Sequence, residues 1–367
     1  GGCTELLEAI DDRSLFPLLD GCGVKGYSET PVALEDLTTG AAEKGMGGSP
    51  VLAPSAEEFL NTVNFDVAAD ASPVGGLDAI ALGQELQTRS LMLMDKFAIG
   101  GGSRIDYESM RRSDALKDYI QLAAVLKEVP SESLESLPDT QKLSFFANLY
   151  NALIVHATCV LGACEDSPAA RSAFFSGAGG ARYNIAGHSF SPDELEHGIL
   201  RANTRHPYST PEGQLTYLSD GDPRAALAVS KSKFDARIHF ILNCGASSCP
   251  PIRVLGQNDK EVSMALQLAS QAYLSSQISV QDGVLRLPKL AFWYSADFGD
   301  DLPRQIASLM SMLSEADALK ISSELGGFEG KRFEVVGGST FPEAASALDE
   351  GTTRVVYNDY SWKSNST

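Results

Sequence analysis

Three helical patterns precede the first strong strand pattern in this sequence, and this order limits the folds open to the chain more than any other feature. Apolar residues recur every three or four positions over 77–98, 106–129 and 139–162. Such spacing predicts three helices that pack together through their apolar faces. Since short strand patterns follow only later, we expect an α+β domain rather than a parallel sheet wound with helices.

The second half of the chain contains the predicted strands. Residues 181–191 alternate in polarity around a central Ala-Gly pair, as a hairpin does, and residues 277–288 predict two strands joined by an Asp-Gly turn. Residues 237–242 form a continuous apolar run, typical of a strand buried inside a sheet. Residues 353–362 predict a last strand. The predicted fold class is therefore α+β: an N-terminal helical bundle packed on a small, mostly antiparallel sheet.

The composition excludes two classes of partner. The chain has 367 residues and a formal net charge of −19, which repels the phosphate backbone of nucleic acids. No apolar run approaches the roughly 18 to 20 residues that a membrane span needs. Six cysteines are too few for the disulfide framework of a small secreted protein, so we expect a reducing compartment, the cytoplasm or a plastid. The expected partner is a small molecule or a peptide, and no cofactor is expected.

The first quarter of the chain differs in character from the rest. Residues 26–58 mix Gly, Ser, Pro and acidic residues without a sustained period, which predicts a flexible acidic linker over 26–75. The preceding residues, GGCTELLEAI and LFPLLDGCG, resemble the C-terminal end of a glutaredoxin. This resemblance implies that residues 1–25 are the remnant of a glutaredoxin-like domain in the full-length chain.

A capped helix is predicted to begin at Ser191. Ser191 can cap the helix, Pro192 suits its first position, and Glu194 can complete a capping box. On this helix His197 lies on the same side as Arg201. Neighbouring helical residues point about 100° apart, so Glu196 and His197 need not touch.

Five blocks of the sequence occur together in one known family. They are KLSFFANLYNALIVHA, YNIAGHSFSPDELEHGILR, DARIHFILNCGASSCPPIR, LPKLAFWYSADFG and VVYNDYSWKSN. In this order they resemble the family called domain of unknown function 547, over roughly residues 78–365. The last block departs from the family at Ser361, where an Asp is common. Because the family has no established activity, the resemblance implies a domain at 76–365 and not a reaction.

The polar residues of these blocks predict a thiol enzyme. A cysteine nucleophile needs a nearby base or positive charge to ionise at neutral pH, and the base needs a group that orients it. The candidate catalytic residues are the cysteines Cys244 and Cys249, the bases His197 and His239, and the orienting groups Glu196 and Asn151. Papain-like and transglutaminase-like enzymes combine the same residue types on helices packed against a small sheet. The sequence therefore predicts a cysteine-dependent hydrolase or acyl transferase.

Cys244 is the preferred nucleophile. It ends the predicted strand beside the flexible Gly245, whereas Cys249 precedes Pro250 and Pro251, which lack N–H groups that could stabilise a thiolate. The candidate substrate-binding residues are Arg201, Arg237, Asn148, Asn243, Ser247 and Ser248. The arginines could bind a carboxylate or pair with Glu196 and Asp235, and the sequence leaves both roles open.

Three alternatives to catalysis by a thiol stay open. The loop could be a rigid turn in a non-catalytic, redox-linked adaptor. Cys244 and Cys249 could form a disulfide, since their spacing allows one. They could also bind zinc with His188 and His197, although the chain has no second Cys-x-x-Cys pair, so no metal ligands are predicted.

Overall fold

Helix α5, Asp139–Leu161, is the element around which the domain packs. The structure, a computed structural model, describes residues 59–62, 78–207, 216–336 and 351–364. Every α5 residue from Lys142 to Val160 is buried. By length and composition α5 could cross a membrane, but its apolar stretch is wholly enclosed by the domain, as that of a core helix is.

The remaining described elements surround α5. The other α-helices are α1 (Ala79–Lys96), α2 (Tyr107–Arg111), α3 (Asp114–Ala124), α4 (Ser131–Glu135), α6 (Pro168–Phe175), α7 (Asp259–Gln277), α8 (Lys289–Trp293), α9 (Ser295–Phe298), α10 (Leu302–Ser311) and α11 (Glu315–Leu325). The 3-10 helices are Val125–Glu128, Pro223–Leu227, Lys231–Lys233 and Ala236–Phe240, and a π-helix spans Glu194–Leu200. The strands are β1 (Ala98–Ile99), β2 (Arg104–Ile105), β3 (Tyr183–Ile185), β4 (His188–Phe190), β5 (Ser279–Gln281), β6 (Val284–Leu287), β7 (Arg332–Val335) and β8 (Thr352–Tyr357).

The predicted helices of the first half are present, with one interruption. Helix α1 lies close against α5 at Gly83, where an added Cβ would be 2.8 Å from the Phe145 ring. The pattern over 106–129 forms two α-helices instead of one. Ser113 separates them because its side chain accepts a hydrogen bond from the backbone N–H of Leu116 and so begins α3. The structure is thus an α+β fold in which helices come first.

The prediction of a mostly antiparallel sheet is wrong for the largest sheet. Its order is β5-β6-β8-β7; β5 and β6 are antiparallel, but β8 is parallel to both β6 and β7. Parallel neighbours need a long connection, and helices α8 to α11 lie in the connection from β6 to β8. The hairpins β1-β2 and β3-β4 are antiparallel, and β3-β4 confirms the hairpin predicted over 181–191.

The predicted strand at 237–242 is also wrong, because Ala236–Phe240 forms a 3-10 helix. The Asp235 side chain accepts the backbone N–H of Arg237 at 3.0 Å and caps this turn. Ile238 packs in the core around α5, whereas Phe240 packs in a second core beneath the four-stranded sheet. The continuous apolar run arises because a turn is buried between two cores, not because a strand lies inside a sheet.

The capped helix predicted at Ser191 is present, and it continues as a π-helix. The Ser191 N–H donates to Glu194 at 2.8 Å, and the Glu194 N–H donates to the Ser191 hydroxyl at 3.2 Å, which is a capping box. Further along, the Arg201 N–H donates to the Glu196 carbonyl, five residues back. Such π-turns are rare and occur often at functional sites.

The described part of the predicted linker is four residues long and packs on the domain. Leu60 is buried and donates its N–H to the Arg182 carbonyl at 3.0 Å. The Asn61 amide donates to the carbonyls of Ala123 and Asn184. The rest of the predicted linker over 26–75 and the glutaredoxin-like residues 1–25 lie outside the described residues.

We expect Ser191→Ala to lower the free energy of unfolding by about 1 kcal/mol, because the substitution removes the acceptor for the Glu194 N–H. Urea denaturation followed by circular dichroism measures the change. Ser311→Ala serves as a control, since Ser311 is an exposed helical residue that caps nothing. Equal effects of the two substitutions would show that the capping box does not stabilise the domain.

Candidate functional site

Two buried asparagines of α5 hold the loop that contains the cysteines. We call residues 241–255 the thiol loop. The Asn151 amide donates to the Ile241 carbonyl at 3.0 Å and accepts the Asn243 N–H at 2.9 Å. One turn earlier, Asn148 donates to the Leu255 carbonyl and accepts the Leu255 N–H. Both side-chain amides are therefore engaged with the two ends of this loop, and neither orients a histidine.

The two thiols of the loop lie against each other. The sulfurs of Cys244 and Cys249 are 2.9 Å apart, and the backbone N–H of Cys244 donates to the Cys249 sulfur at 3.2 Å. Gly245, with φ of +87°, provides the left-handed turn between them. The Tyr360 hydroxyl lies 3.1 Å from the Cys249 sulfur and 3.5 Å from that of Cys244. Tyr360 thus completes a three-residue thiol cluster.

The environment separates the pKa values of the two thiols. Burial alone would raise the pKa of Cys249, but hydrogen bonds from Cys244 and Tyr360 outweigh burial and lower it. The hydrogen bond to Cys249, aided by burial, raises the pKa of Cys244 well above its usual value. The pair therefore shares its remaining proton when the first is lost. This order is opposite to the one expected from Pro250 and Pro251, because the stabilising donors come from elsewhere.

A buried charge cluster lies at the start of the thiol loop, and its centre is Asp297. Its two carboxylate oxygens accept from Arg201 at 2.7 and 3.0 Å, and one of them is 2.8 Å from Nε2 of His239. Burial opposes ionisation, but hydrogen bonds from His239 and Arg201 lower the pKa of Asp297 to about 2. Asp297 is not among the predicted site residues, and its only signal in the sequence is that it is a single acid within an aromatic block.

The two candidate histidines belong to this charge cluster. Arg201 donates to Nδ1 of His197 at 2.9 Å, so the neutral imidazole has its proton on Nε2. Burial, followed by the positive charge of Arg201, lowers the pKa of His197 well below its usual value. The His239 ring stacks on Tyr294, with centroids 3.8 Å apart. The Tyr294 hydroxyl in turn donates to Glu196 at 2.7 Å.

Glu196 and the histidines do not form the predicted triad with a thiol. The Glu196 carboxylate oxygen lies 3.9 Å from Nδ1 of His197, which is too long for a hydrogen bond. Among the described residues, neither His197 nor His239 hydrogen-bonds to a sulfur, since their partners are Arg201 and Asp297. Burial, followed by the charges of Glu196 and Cys244, raises the pKa of Tyr150 well above its usual value.

The other predicted binding residues have structural partners. The Arg237 guanidinium donates two hydrogen bonds to the Asp235 carboxylate, and the shorter of them is 2.7 Å long. The Asn243 amide donates to the Pro250 carbonyl within the loop. The N–H groups of Ser247 and Ser248 donate to the carbonyls of segment 361–363, at 2.8 and 3.4 Å. The backbone N–H groups of these two serines are therefore occupied by the chain itself.

Two cavities adjoin the thiol loop. The larger, of about 210 Å³, is lined by Leu91 and Met94 of α1, by Ile154 of α5, and by Asn243, Gly245 and Ala246 of the loop. The smaller, of about 20 Å³, is lined by Cys244 and by Arg171 and Trp362, whose side chains stack. Both cavities include Thr158, Gly245 and Ala246 in their walls. The turn at Gly245 thus lines both an apolar cavity and a space that reaches a thiol.

The residues that could hold a metal have only His197 in common with the zinc alternative. Within the described ranges, the group of metal-ligand types that lies together is Asp193, His197 and His206, whose ligand atoms are within 4.8 Å of one another. This group contains no thiol. Because His197 Nδ1 accepts from Arg201, its Nε2 is protonated and has no lone pair for a cation. The donor set therefore does not fit a metal ion.

We expect Asp193→Asn to stabilise the protein at high pH. Burial, and then Glu196, raises the pKa of Asp193 from 3.8 to about 7. The stability that comes from its neutral form is fully present below pH 3.8 and is lost as the pH rises through about 7. Relative to wild type, the variant should gain on the order of 1 to 3 kcal/mol at pH 8 and little at pH 3.5.

Urea denaturation at several pH values measures this difference. Asp118→Asn is the matched control, because Asp118 is an exposed helical carboxylate. A gain for Asp193→Asn that does not change with pH would contradict the assignment of a buried, protonated carboxyl group.

Comparisons with known proteins agree with the resemblance seen in the sequence. No curated protein and no solved structure is significantly similar to the chain. A family model matches residues 134–274, a narrower range than the five sequence blocks, and this range contains α5, the π-helix and the whole thiol loop. Residues 134–274 are therefore similar to the family described as "Protein of unknown function, DUF547".

Proposed function

We propose that the thiol loop is a dithiol–disulfide exchange site, which acts on the disulfide of a small molecule or peptide. The observation that carries this proposal is the 2.9 Å separation of the Cys244 and Cys249 sulfurs. In a pair with one lowered and one raised pKa, the stabilised Cys249 thiolate can take the proton of Cys244 and can later attack the mixed disulfide that Cys244 forms, as exchange requires. This role develops the redox-linked alternative and not the hydrolase.

The exchange balances with an external disulfide R–S–S–R′ as the oxidant. Cys249 begins as the thiolate and removes the proton of Cys244 along their hydrogen bond. The Cys244 thiolate, which reaches the smaller cavity, attacks the disulfide, forms Cys244–S–S–R and releases R′–S⁻. That thiolate takes the proton from Cys249. Cys249 then attacks the Cys244 sulfur, closes the protein disulfide and releases R–S⁻.

The hydrolase alternative has less support from the geometry. A thiol hydrolase needs an imidazole within hydrogen-bond reach of its nucleophile. The hydrogen-bonding nitrogens of His197 and His239 are directed to Arg201 and Asp297. The charge cluster supports the loop instead, because His239 belongs to the 3-10 helix that leads into it. In a reducing compartment the pair would rest as a dithiol, and a glutaredoxin-like domain of the same chain would be a natural disulfide donor.

A redox titration tests the proposal. The protein is equilibrated with mixtures of reduced and oxidised dithiothreitol, free thiols are trapped with iodoacetamide, and each cysteine is mapped by mass spectrometry. Cys244 and Cys249 should lose their labels together, whereas the buried Cys159 should not change with them. Cys244→Ser and Cys249→Ser should each abolish this paired loss. If the two thiols stay alkylatable in excess oxidised dithiothreitol, the exchange function is wrong.

A second prediction concerns Tyr360. Tyr360→Phe removes a hydrogen bond to the Cys249 sulfur, so the pKa of Cys249 should rise. A hydrogen bond to an ionised group contributes about 1.5 to 3 kcal/mol at most, so iodoacetamide labelling of Cys249 at pH 7 should slow by roughly tenfold. Tyr357→Phe is the control, since Tyr357 packs against Phe292 in the second core. Unchanged labelling in Tyr360→Phe would show that the tyrosine does not stabilise the thiolate.

A further inference from the structure

The larger cavity beside the thiol loop has no charged residue in its wall. Its lining combines mostly apolar side chains of α1 and α5 with Tyr107 and with residues of the thiol loop, of which Asn243 is polar. In a chain with a net charge of −19, an uncharged cavity next to a thiol is a selective environment. Anionic groups would lose their hydration there without gaining a cation, whereas an apolar group would be favoured.

The position of this cavity ties it to the thiols. Asn243 and Gly245 flank Cys244 in sequence, and both line the cavity. The smaller cavity, which Cys244 itself lines, has Thr158, Gly245 and Ala246 in common with the larger one. A molecule whose sulfur meets Cys244 can therefore place its substituent on the apolar side of the Gly245 turn.

The volume limits the size of that substituent. An apolar cavity of about 150 Å³ holds benzene, with six non-hydrogen atoms, so a cavity of about 210 Å³ takes about eight. This space is below the range of about 300 to 1,000 Å³ that is usual for drug-sized ligands. The tripeptide glutathione is too large and too polar for such a space.

We propose that the preferred substrate of the thiol pair is a disulfide that bears a small, uncharged apolar group, and that the 210 Å³ cavity binds this group. The inference rests on the proposed exchange function and adds the substrate class. In the exchange, R is the apolar group and stays in the cavity as Cys244–S–S–R. The alkyl thiolate R–S⁻ leaves when Cys249 closes the protein disulfide, so the atoms and electrons balance as before.

Oxidation kinetics test this substrate class. The reduced protein is mixed with dibutyl disulfide, 2-hydroxyethyl disulfide or glutathione disulfide, and loss of the paired thiols is followed by rapid alkylation and mass spectrometry. Each rate is divided by the rate of the same disulfide with free dithiothreitol. After this correction, dibutyl disulfide should react at least about tenfold faster than the other two.

Two neighbouring residues of α1 provide matched variants. Leu91→Trp fills the cavity and should remove the preference for dibutyl disulfide over 2-hydroxyethyl disulfide. Met92→Trp adds the same ring at the next position, where the side chain is 51% exposed, and should change neither rate. Met94→Trp is a second cavity-filling variant, and circular dichroism establishes that each variant is folded.

Separate outcomes identify which proposal fails. If all three disulfides oxidise the pair with equal corrected rates, the exchange function stands and the substrate class is wrong. If none oxidises it, the exchange function is wrong, and the substrate class falls with it. Nuclear magnetic resonance titration with 1-hexanol tests independently whether the cavity binds a small apolar molecule. Methyl signals of Ile154 should shift in wild type and in Met92→Trp but not in Leu91→Trp, and absence of any shift would overturn the cavity assignment.

Discussion

The arrangement of this domain depends on how the amide groups of two asparagines find hydrogen-bond partners inside the buried helix α5. Asn148 and Asn151 are each 1% exposed on α5, where an unpaired amide would cost about 1 to 3 kcal/mol. Their partners are backbone groups at the two ends of the thiol loop, so each amide both donates and accepts. Because the core is built around α5, the loop between these anchor points has one geometry. The close approach of the two sulfurs follows from it.

The charge cluster fixes the other side of the same loop. Asp297 joins Arg201 of the π-helix region to His239 of the 3-10 helix, across 96 and 58 residues of sequence. A buried ionic cluster stabilises little by itself, but removal of one member leaves an unpaired buried charge. Its effect is to exclude other arrangements of these elements. The histidines that the sequence marked as bases are in this way used to position the polypeptide.

Local features of the fold could be predicted from the sequence, and long-range pairings could not. The hairpin at 183–190, the Ser191 capping box and the helices α1 and α5 follow from spacing and cap residues, which act within a few positions. The 3-10 helix at 236–240 was read as a strand because burial against two cores gives the same apolar run as burial in a sheet. The role of Asp297 and the parallel pairing of β8 could not be predicted from nearby residues, since their partners are distant in sequence.

The ionisation of the cysteines also depends on residues that are distant in sequence. The local sequence favours Cys244 as the thiolate, because prolines follow Cys249 and remove two N–H donors. In the folded loop, donors reach the Cys249 sulfur from the backbone of Cys244, five residues earlier, and from Tyr360, 111 residues later. Segment 361–363 accepts the N–H groups of Ser247 and Ser248 and so keeps Tyr360 in place. The ionisation of the thiol pair is therefore a property of the closed loop together with this distant segment, and any ligand that displaced the segment would also change the pKa of Cys249.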